Sequence, residues 1–309
     1  MPPAGVAARR HLLGIAGLDR PAIDGILDRA DALLADPSAH RRALAGRTVV
    51  NAFFEPSTRT RTSFELAAKR LGAEVVSFEA SGSSLSKGET LLDTCRTLDA
   101  MGPDAVVLRH AASGAAEFVA HRVGFQVINA GDGAHEHPTQ ALLDAFTLRR
   151  ALGRLERLVV VICGDVAHSR VARSNAHLLR RYGAEVRVVG PRTLMPPAAE
   201  EALGVRVFHE LEEALRGADA VMALRIQHER MEPHLLPGDR DYARAYGLTE
   251  ARLAAAAPEA LVMHPGPLNR GVEIDSGLAD SPRSLILDQV TAGLAVRSAV
   301  LVELLGEAS

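Results

Sequence analysis

Residues 48–65 read Thr48-Val49-Val50-Asn51-Ala52-Phe53-Phe54-Glu55-Pro56-Ser57-Thr58-Arg59-Thr60-Arg61-Thr62-Ser63-Phe64-Glu65. The first seven residues are mostly β-branched or apolar, the pattern of a strand covered on both faces. Glu55-Pro56 breaks the run. From about Ser57 the period changes: Phe64, Ala67, Ala68 and Leu71 recur at i, i+3, i+4 and i+7 until Gly72, as on one face of a helix with a glycine stop. The same strand-then-helix unit repeats along the chain. Runs at 74–78, 105–108, 126–129, 158–163, 185–189, 205–208, 220–224 and 260–263 read as strands. Helical spacing follows in Leu91, Leu92, Cys95 and Leu98, in Leu142, Ala145 and Phe146, and in Val171, Ala172, Asn175, Leu178 and Leu179. This βαβα order predicts an α/β protein of two doubly wound parallel-sheet domains. The expected division is 1–150 with a last helix, 285–309, packing back on the first domain, and 151–284 as the second.

Composition narrows the function classes. The 309 residues carry 35 Lys and Arg against 38 Asp and Glu, a formal charge of −3. No global positive field attracts nucleic acid or an anionic membrane. Aromatics are 4% with no Trp, which removes stacking platforms for single strands. Two cysteines, Cys95 and Cys163, make no disulfide framework and read as buried thiols in a reducing compartment. Residues 1–10 lack the apolar core of a signal peptide. The most apolar stretch, 285–305, contains Asp288, Gln289, Arg297 and Glu303, so it reads as a core helix rather than a membrane span. A cytoplasmic chain is expected.

The candidate chemistry sits where strands end. Ser57 stands at an N-cap position, Thr58 and Thr60 add hydroxyls, and Arg59 adds a bidentate fork. With the open N–H groups and positive dipole end of the helix behind them, these residues form a phosphate cradle. The spacing matches neither a P-loop nor a dinucleotide fingerprint. Ser83-Ser84-Leu85-Ser86-Lys87-Gly88 is a small polar loop. Arg109 ends the 105–108 strand, where α/β ligands bind. His135-Glu136-His137-Pro138-Thr139-Gln140 follows a glycine-rich turn; two histidines without a third ligand make no metal site. In the second half, Gly164-Asp165-Val166-Ala167-His168-Ser169-Arg170 opens a helix with a cation at its positive end, which suits an anionic ligand. Arg225 and Gln227 are two apart after a strand, and His264-Pro265-Gly266-Pro267 is a rigid loop after another.

Taken in order, these motifs resemble the aspartate/ornithine carbamoyltransferase family over nearly the whole chain. The Ser57-Thr58-Arg59-Thr60 and His137-Pro138-Thr139-Gln140 stretches carry the resemblance most specifically. It implies that Ser57, Thr58, Arg59, Thr60 and Arg109 hold the phosphate of carbamoyl phosphate. His137 donates to the carbonyl oxygen, and Gln140 lies near the carbamoyl amide. Ser84 (Ser83 being the alternative) and Lys87 reach the substrates of the neighbouring subunit in a homotrimer. Arg170, Arg225 and Gln227 bind the aspartate carboxylates, and the backbone of Gly266 and Pro267 contacts the amino acid and the carbamoyl group. Catalysis is assigned to Arg59, Thr60, Lys87, Arg109 and His137, without cofactor or metal. A regulatory chain or a dihydroorotase is left open as a further partner.

The acceptor follows from charge. Aspartate brings two carboxylates and asks for fixed cations, which Arg225-x-Gln227 supplies. Members acting on ornithine carry His-Cys-Leu-Pro where this chain has His264-Pro265-Gly266-Pro267. The expected reaction is therefore carbamoyl transfer to aspartate, in the route to pyrimidines. A carbamoyltransferase for another amino acid such as ornithine, or a non-catalytic bilobal binding protein, are the rivals. One compositional oddity supports the assignment of Lys87. Of 35 basic residues 33 are Arg; Lys69 and Lys87 are the two lysines. Lys69 follows Glu65 by four residues and reads as an ordinary helix pair. Lys87 falls in the loop where a compact, mobile ammonium is wanted.

Overall fold

The computed structural model describes residues 11–79, 89–226 and 238–306. Two compact units divide the chain: Met1–Thr139 with Gly293–Ser309, and Gln140–Ala292.

The first unit runs α1 (Arg20–Ala35), β1 (Thr48–Phe53), α2 (Thr58–Arg70), β2 (Glu74–Glu79), α3 (Leu91–Met101), β3 (Ala105–His110), α4 (Ala115–Ala120), β4 (Gln126–Asp132) and the start of α5 (Pro138–Leu152). All pairings are parallel and the strand order is β2-β1-β3-β4. Parallel strands joined through helices need cover on both faces, and the sequence supplies it. Val50, Ala52, Val106, Leu108 and Val127 pack with Cys95 of α3 and with Ala116 and Val119 of α4. Phe64, Ala67 and Ala68 of α2 are also fully buried. Beyond β4 the sheet edge is paired by Leu12, whose N–H donates to Val127 O at 3.0 Å while Asn129 N donates to Leu12 O at 2.8 Å.

The second unit continues with β5 (Val159–Cys163), α6 (Arg170–Arg180), β6 (Glu185–Val189), α7 (Ala199–Leu203), β7 (Arg206–Phe208), α8 (Leu211–Leu215), β8 (Ala220–Ala223), α9 (Asp239–Tyr246), α10 (Glu250–Ala256), β9 (Leu261–Met263), α11 (Ser276–Ala279) and the start of α12 (Ile286–Leu305). Its sheet is again parallel, in the order β7-β6-β5-β8-β9. Val161, Cys163, Val221, Ala223 and Val262 form its core with Leu211 and Leu215 of α8, Leu253 of α10 and Leu278 of α11. Burial pushes both thiols, Cys95 and Cys163, up to about 12, so neither is a nucleophile near neutral pH.

All nine strands expected from the sequence are present, with ends shifted by a few residues at most. β4 shifts furthest. It runs to Asp132 rather than stopping at residue 129, because Ala130 and Gly131 are small and buried. The third helix begins after an N-cap at Thr90, whose side chain accepts from Asp93 N. The last helix divides. Only its part from Gly293 on belongs to the first unit, where Arg297 donates to Ser63 Oγ at 2.8 Å and lies 5.4 Å over the Phe64 ring. Its first turns belong to the second unit, because Ile286 packs on that core and Gln289 bonds to Asp144 and His264. No helix among the described residues is long and apolar enough to cross a membrane.

Phe64 fixes α2 to its sheet from the inside, one turn behind the cradle. Phe64→Ala is expected to cost about 3–5 kcal/mol of stability, the usual range for a buried phenylalanine. Urea unfolding of the two chains measures it; a change in midpoint corresponding to less than about 1 kcal/mol would mean α2 is not anchored there.

Candidate active site

In each unit several of the sequence-predicted residues lie where the strand order reverses, the place at which open α/β sheets bind ligands.

In the first unit the reversal lies between β1 and β3. Phe53 stands opposite Arg109 in register, and Phe54 N donates to Arg109 O at 2.8 Å. The loop 54–57 therefore leaves the sheet directly beside Arg109. α2 begins at Thr58 with no acidic residue in its first turn. Thr58 and Arg59 are exposed and Thr60 is buried. Ser57 occupies the N-cap, but its side chain makes no capping hydrogen bond, with φ −163° and ψ 85°. The expectation of a side-chain cap is corrected here. That hydroxyl is not committed to its own helix.

Arg109 is held in two ways. Its Nη1 donates to Ala130 O at 3.2 Å, and its Nε lies 3.4 Å from Glu55 Oε2. Both side chains are largely covered, at 13% and 17% exposure. Glu55 thus stands as a carboxylate counter-ion within the predicted phosphate region, a partner the sequence reading did not assign.

The turn before His137 is built on Asp132, which is buried. Its Oδ1 accepts from Asn129 Nδ2 at 2.8 Å and Glu136 N at 3.1 Å, and its Oδ2 from Gly114 N at 2.7 Å. Glu136 accepts from Ile15 N at 2.8 Å and Ala16 N at 3.1 Å. A rigid frame therefore delivers His137, buried, to the first residues of α5, where Pro138 sits favourably at the helix start. His135 stays 41% exposed, 3.0 Å from Asp132. Among the described residues no three His, Cys, Asp or Glu side chains gather to hold a metal.

In the second unit the reversal lies between β5 and β8. Leu224 N donates to Cys163 O at 2.8 Å, so the loops after the two strands start side by side. Gly164, at φ +131°, lies so close that a Cβ would meet Leu224 O at 3.0 Å and Tyr242 Oη at 3.2 Å. Only glycine suits that position. Asp165 then folds the turn by accepting from His168 N at 3.2 Å and from His168 Nδ1 at 2.8 Å. Ser169 caps α6 through Ala172 N at 3.1 Å. Arg170 follows as the first residue of α6 and is only 5% exposed. A surface arginine is thereby ruled out. Arg225 is half-buried just past β8.

The loop after β9 is pinned by His264. Its N–H donates to Gln289 Oε1 at 2.9 Å, and its Nδ1 accepts from Gly266 N at 2.7 Å. Nε2 consequently carries the proton and donates to Glu273 Oε1 at 3.0 Å. The Gly266–Pro267 peptide is cis. Arg270 is paired with Asp280 through two contacts of 2.8 Å; this fork holds the Asp280 carboxyl below the usual range. The pair is exposed.

Ser83, Ser84, Lys87 and Gln227 lie outside the described residues. The remaining predicted residues lie at the end of β3 or in the loops and first helical turns that follow β1, β4, β5, β8 and β9. Missed by sequence reading were the acids that shape them: Glu55, Asp132, Glu136, Asp165 and Glu273.

Two family models match this chain. "Aspartate/ornithine carbamoyltransferase, carbamoyl-P binding domain" covers residues 10–150, and "Aspartate/ornithine carbamoyltransferase, Asp/Orn binding domain" covers residues 156–304. The chain belongs to the aspartate/ornithine carbamoyltransferase family. Within this family it is 60% identical over 306 residues to the aspartate carbamoyltransferase catalytic subunit of Sorangium cellulosum, covering 97% of this chain and 94% of that protein. The catalytic subunit of the same name from Rhodospirillum rubrum is 60% identical over 301 residues, 96% and 94% of the two chains. Among solved structures, aspartate transcarbamoylase from Trypanosoma cruzi in complex with N-(phosphonacetyl)-L-aspartic acid matches with TM-score 0.89 and 33% identity over 96% of each chain. Ornithine carbamoyltransferase from Thermus thermophilus matches with TM-score 0.85 and 26% identity over 97% of this chain and all of that one. The family fold accommodates both acceptors almost equally well, so the choice between them rests on side chains.

Proposed function

We propose that this chain transfers the carbamoyl group of carbamoyl phosphate to the α-amine of L-aspartate, giving N-carbamoyl-L-aspartate and phosphate on the route to pyrimidines. One observation carries the choice of acceptor. The relatives named for aspartate share 60% of their residues with this chain over nearly its full length, against 26% for the ornithine enzyme. Arg170, buried at the start of α6, supports the same choice by offering a cation where an acidic substrate would be held.

In this reading Ser57, Thr58, Arg59 and Thr60 hold the phosphate with Arg109 and Lys87. The open N–H groups of α2 add fixed dipoles to the side-chain donors. Arg59, Thr60 and His137 polarise the carbonyl and stabilise the oxyanion that forms when the amine adds. Arg170, Arg225 and Gln227, with Lys87 and Ser84, hold aspartate with its neutral amine toward the carbonyl carbon. The C–N bond forms, the C–O bond to phosphate breaks, and the departing phosphate accepts the amine proton. No side chain is required as general base.

The chain works in the cytoplasm as a homotrimer whose neighbours lend Ser84 and Lys87 to each site. Free, buried Cys95 and Cys163 support the reducing compartment, and the relatives' name, catalytic subunit, supports an assembly. Mixing tests the sharing. Lys87→Ala and Arg59→Ala chains are each expected to be strongly impaired alone. Cyclic symmetry then puts one intact site in every hybrid trimer, about a quarter of all sites after equimolar reassembly. Reassembled hybrids with no recovered activity would show that each site is built from one chain.

A further inference from the structure

Asp144 has no role in the reaction as described, yet it is fully buried one helical turn after Gln140. Its Oδ1 accepts from Gln140 Nε2 at 2.9 Å and from Gln289 Nε2 at 2.7 Å; its Oδ2 accepts from Asn175 Nδ2 at 2.8 Å. Gln289 Oε1 in turn accepts the His264 N–H at 2.9 Å. One carboxylate thus joins α5, α6, α12 and the loop that begins at His264. All of these residues lie within the second unit.

The chemistry of the hub is directional. An ionised carboxylate only accepts, and a glutamine amide has one donating and one accepting end. With Nε2 turned to Asp144, Gln140 presents Oε1 as its outward atom. The flipped amide would set oxygen against oxygen in a buried setting, a costly arrangement. Gln140 is therefore fixed as an acceptor. The –NH2 of a carbamoyl group is a donor and is its complement. Gln289 is fixed in the same way, since its oxygen is engaged by the His264 N–H and its nitrogen by Asp144.

We propose that Asp144 is a positioning residue for carbamoyl transfer: it sets the Gln140 amide with Oε1 toward the carbamoyl –NH2 and, through Gln289, holds the His264–Pro267 loop in the matching arrangement. The inference rests on the carbamoyltransferase reading above. Asp144 itself touches no substrate. A role confined to stitching three helices would lower stability without singling out one substrate.

The test is a set of full-length variants assayed for kcat and for KM of each substrate, with thermal unfolding alongside. Asp144→Ala is expected to lower kcat/KM for carbamoyl phosphate by roughly 10–100-fold, the scale of a misplaced contact, while KM for aspartate changes less than about threefold. Asp144→Asn keeps an oxygen toward Gln140 and Gln289; its new Nδ2 takes the place of the oxygen that accepts from Asn175 Nδ2, which also donates to Val171 O at 3.1 Å, so only the Asn175 contact is given up. It should stay within about threefold of wild type. The double variant Asp144→Ala/Gln140→Ala should lose clearly less than the product of the two single losses, because Asp144 acts in part through the Gln140 amide.

Gln140→Glu gives a second reading that does not depend on the alanine variants. Two facing carboxylates share a proton, and only a protonated Glu at 140 can donate to Asp144 while presenting its carbonyl oxygen. Its kcat/KM for carbamoyl phosphate, relative to wild type, should climb as pH falls from about 8 to about 6. The proposal is overturned by an Asp144→Ala chain within about twofold of wild type, by an Asn variant as impaired as the Ala variant, by losses that multiply in the double variant, or by a flat pH ratio for Gln140→Glu. Wild-type turnover is read first in the same assay. Its absence would overturn the functional reading, whereas active wild type beside a tolerant Asp144→Ala overturns this proposal alone.

Discussion

Arg59→Ala is expected to lower kcat by roughly 10²–10³-fold, the usual cost of removing one donor to a developing oxyanion. KM for aspartate should change by no more than about threefold, because the lost charge acts on the carbamoyl group rather than on the acceptor. The structural basis is local. Arg59 is the second residue of α2, in a first turn without acids, beside the end of β1. The helix dipole, the N–H groups and the guanidinium all favour negative charge at that spot. Charge grows on the carbonyl oxygen only as the amine adds, so the interaction is strongest in the transition state. Because Arg59 is exposed, its loss should leave the unfolding midpoint nearly unchanged, which separates catalysis from stability. Steady-state kinetics with both substrates varied measures the effect. A variant with near-normal kcat would remove α2 from the reaction.

The second large effect is expected at Arg170. Arg170→Leu should raise KM for aspartate by roughly 10–100-fold, the equivalent of one charge-assisted hydrogen bond of about 1.5–3 kcal/mol. KM for carbamoyl phosphate should stay close to wild type, since Ser57–Thr60 and Arg109 belong to the other unit. A buried arginine at the positive end of a helix is an unfavourable placement for stability alone, and leucine conserves much of its apolar packing. Initial rates against aspartate concentration, with thermal unfolding as the control, measure it. An unchanged KM for aspartate would mean that Arg170 serves the fold and not the acceptor.

Much of this architecture is legible in the chain because its strands are short, apolar and punctuated. Residues 105–108 and 158–163 can hardly be anything else once helical spacing appears on either side. The cradle is legible because Ser57-Thr58-Arg59-Thr60 concentrates donors at a helix start. Strand order is not legible: nothing in the sequence of β2 or β3 says that β1 lies between them, yet that order brings Arg109 beside the cradle. The acids that frame the site are equally silent. Asp132, Glu136 and Asp144 look like solvated charges until the fold supplies donors from residues as distant in sequence as Ile15 and Gln289. Asp144 left one trace, the Gln140–Asp144 spacing of four on a helix, a known hydrogen-bonding pair. Ser57 shows the opposite case. Its type and place predict a cap, but its side chain makes no capping hydrogen bond.

The reaction proposed for this chain pairs carbamoyl phosphate with aspartate rather than with ornithine. The direct measurement is product formation by the purified full-length chain with carbamoyl phosphate and either amino acid, run side by side. N-carbamoyl-L-aspartate and phosphate are expected in equal amounts with aspartate, and no carbamoylated product with ornithine. Carbamoylated ornithine in place of carbamoyl-aspartate would contradict that pairing.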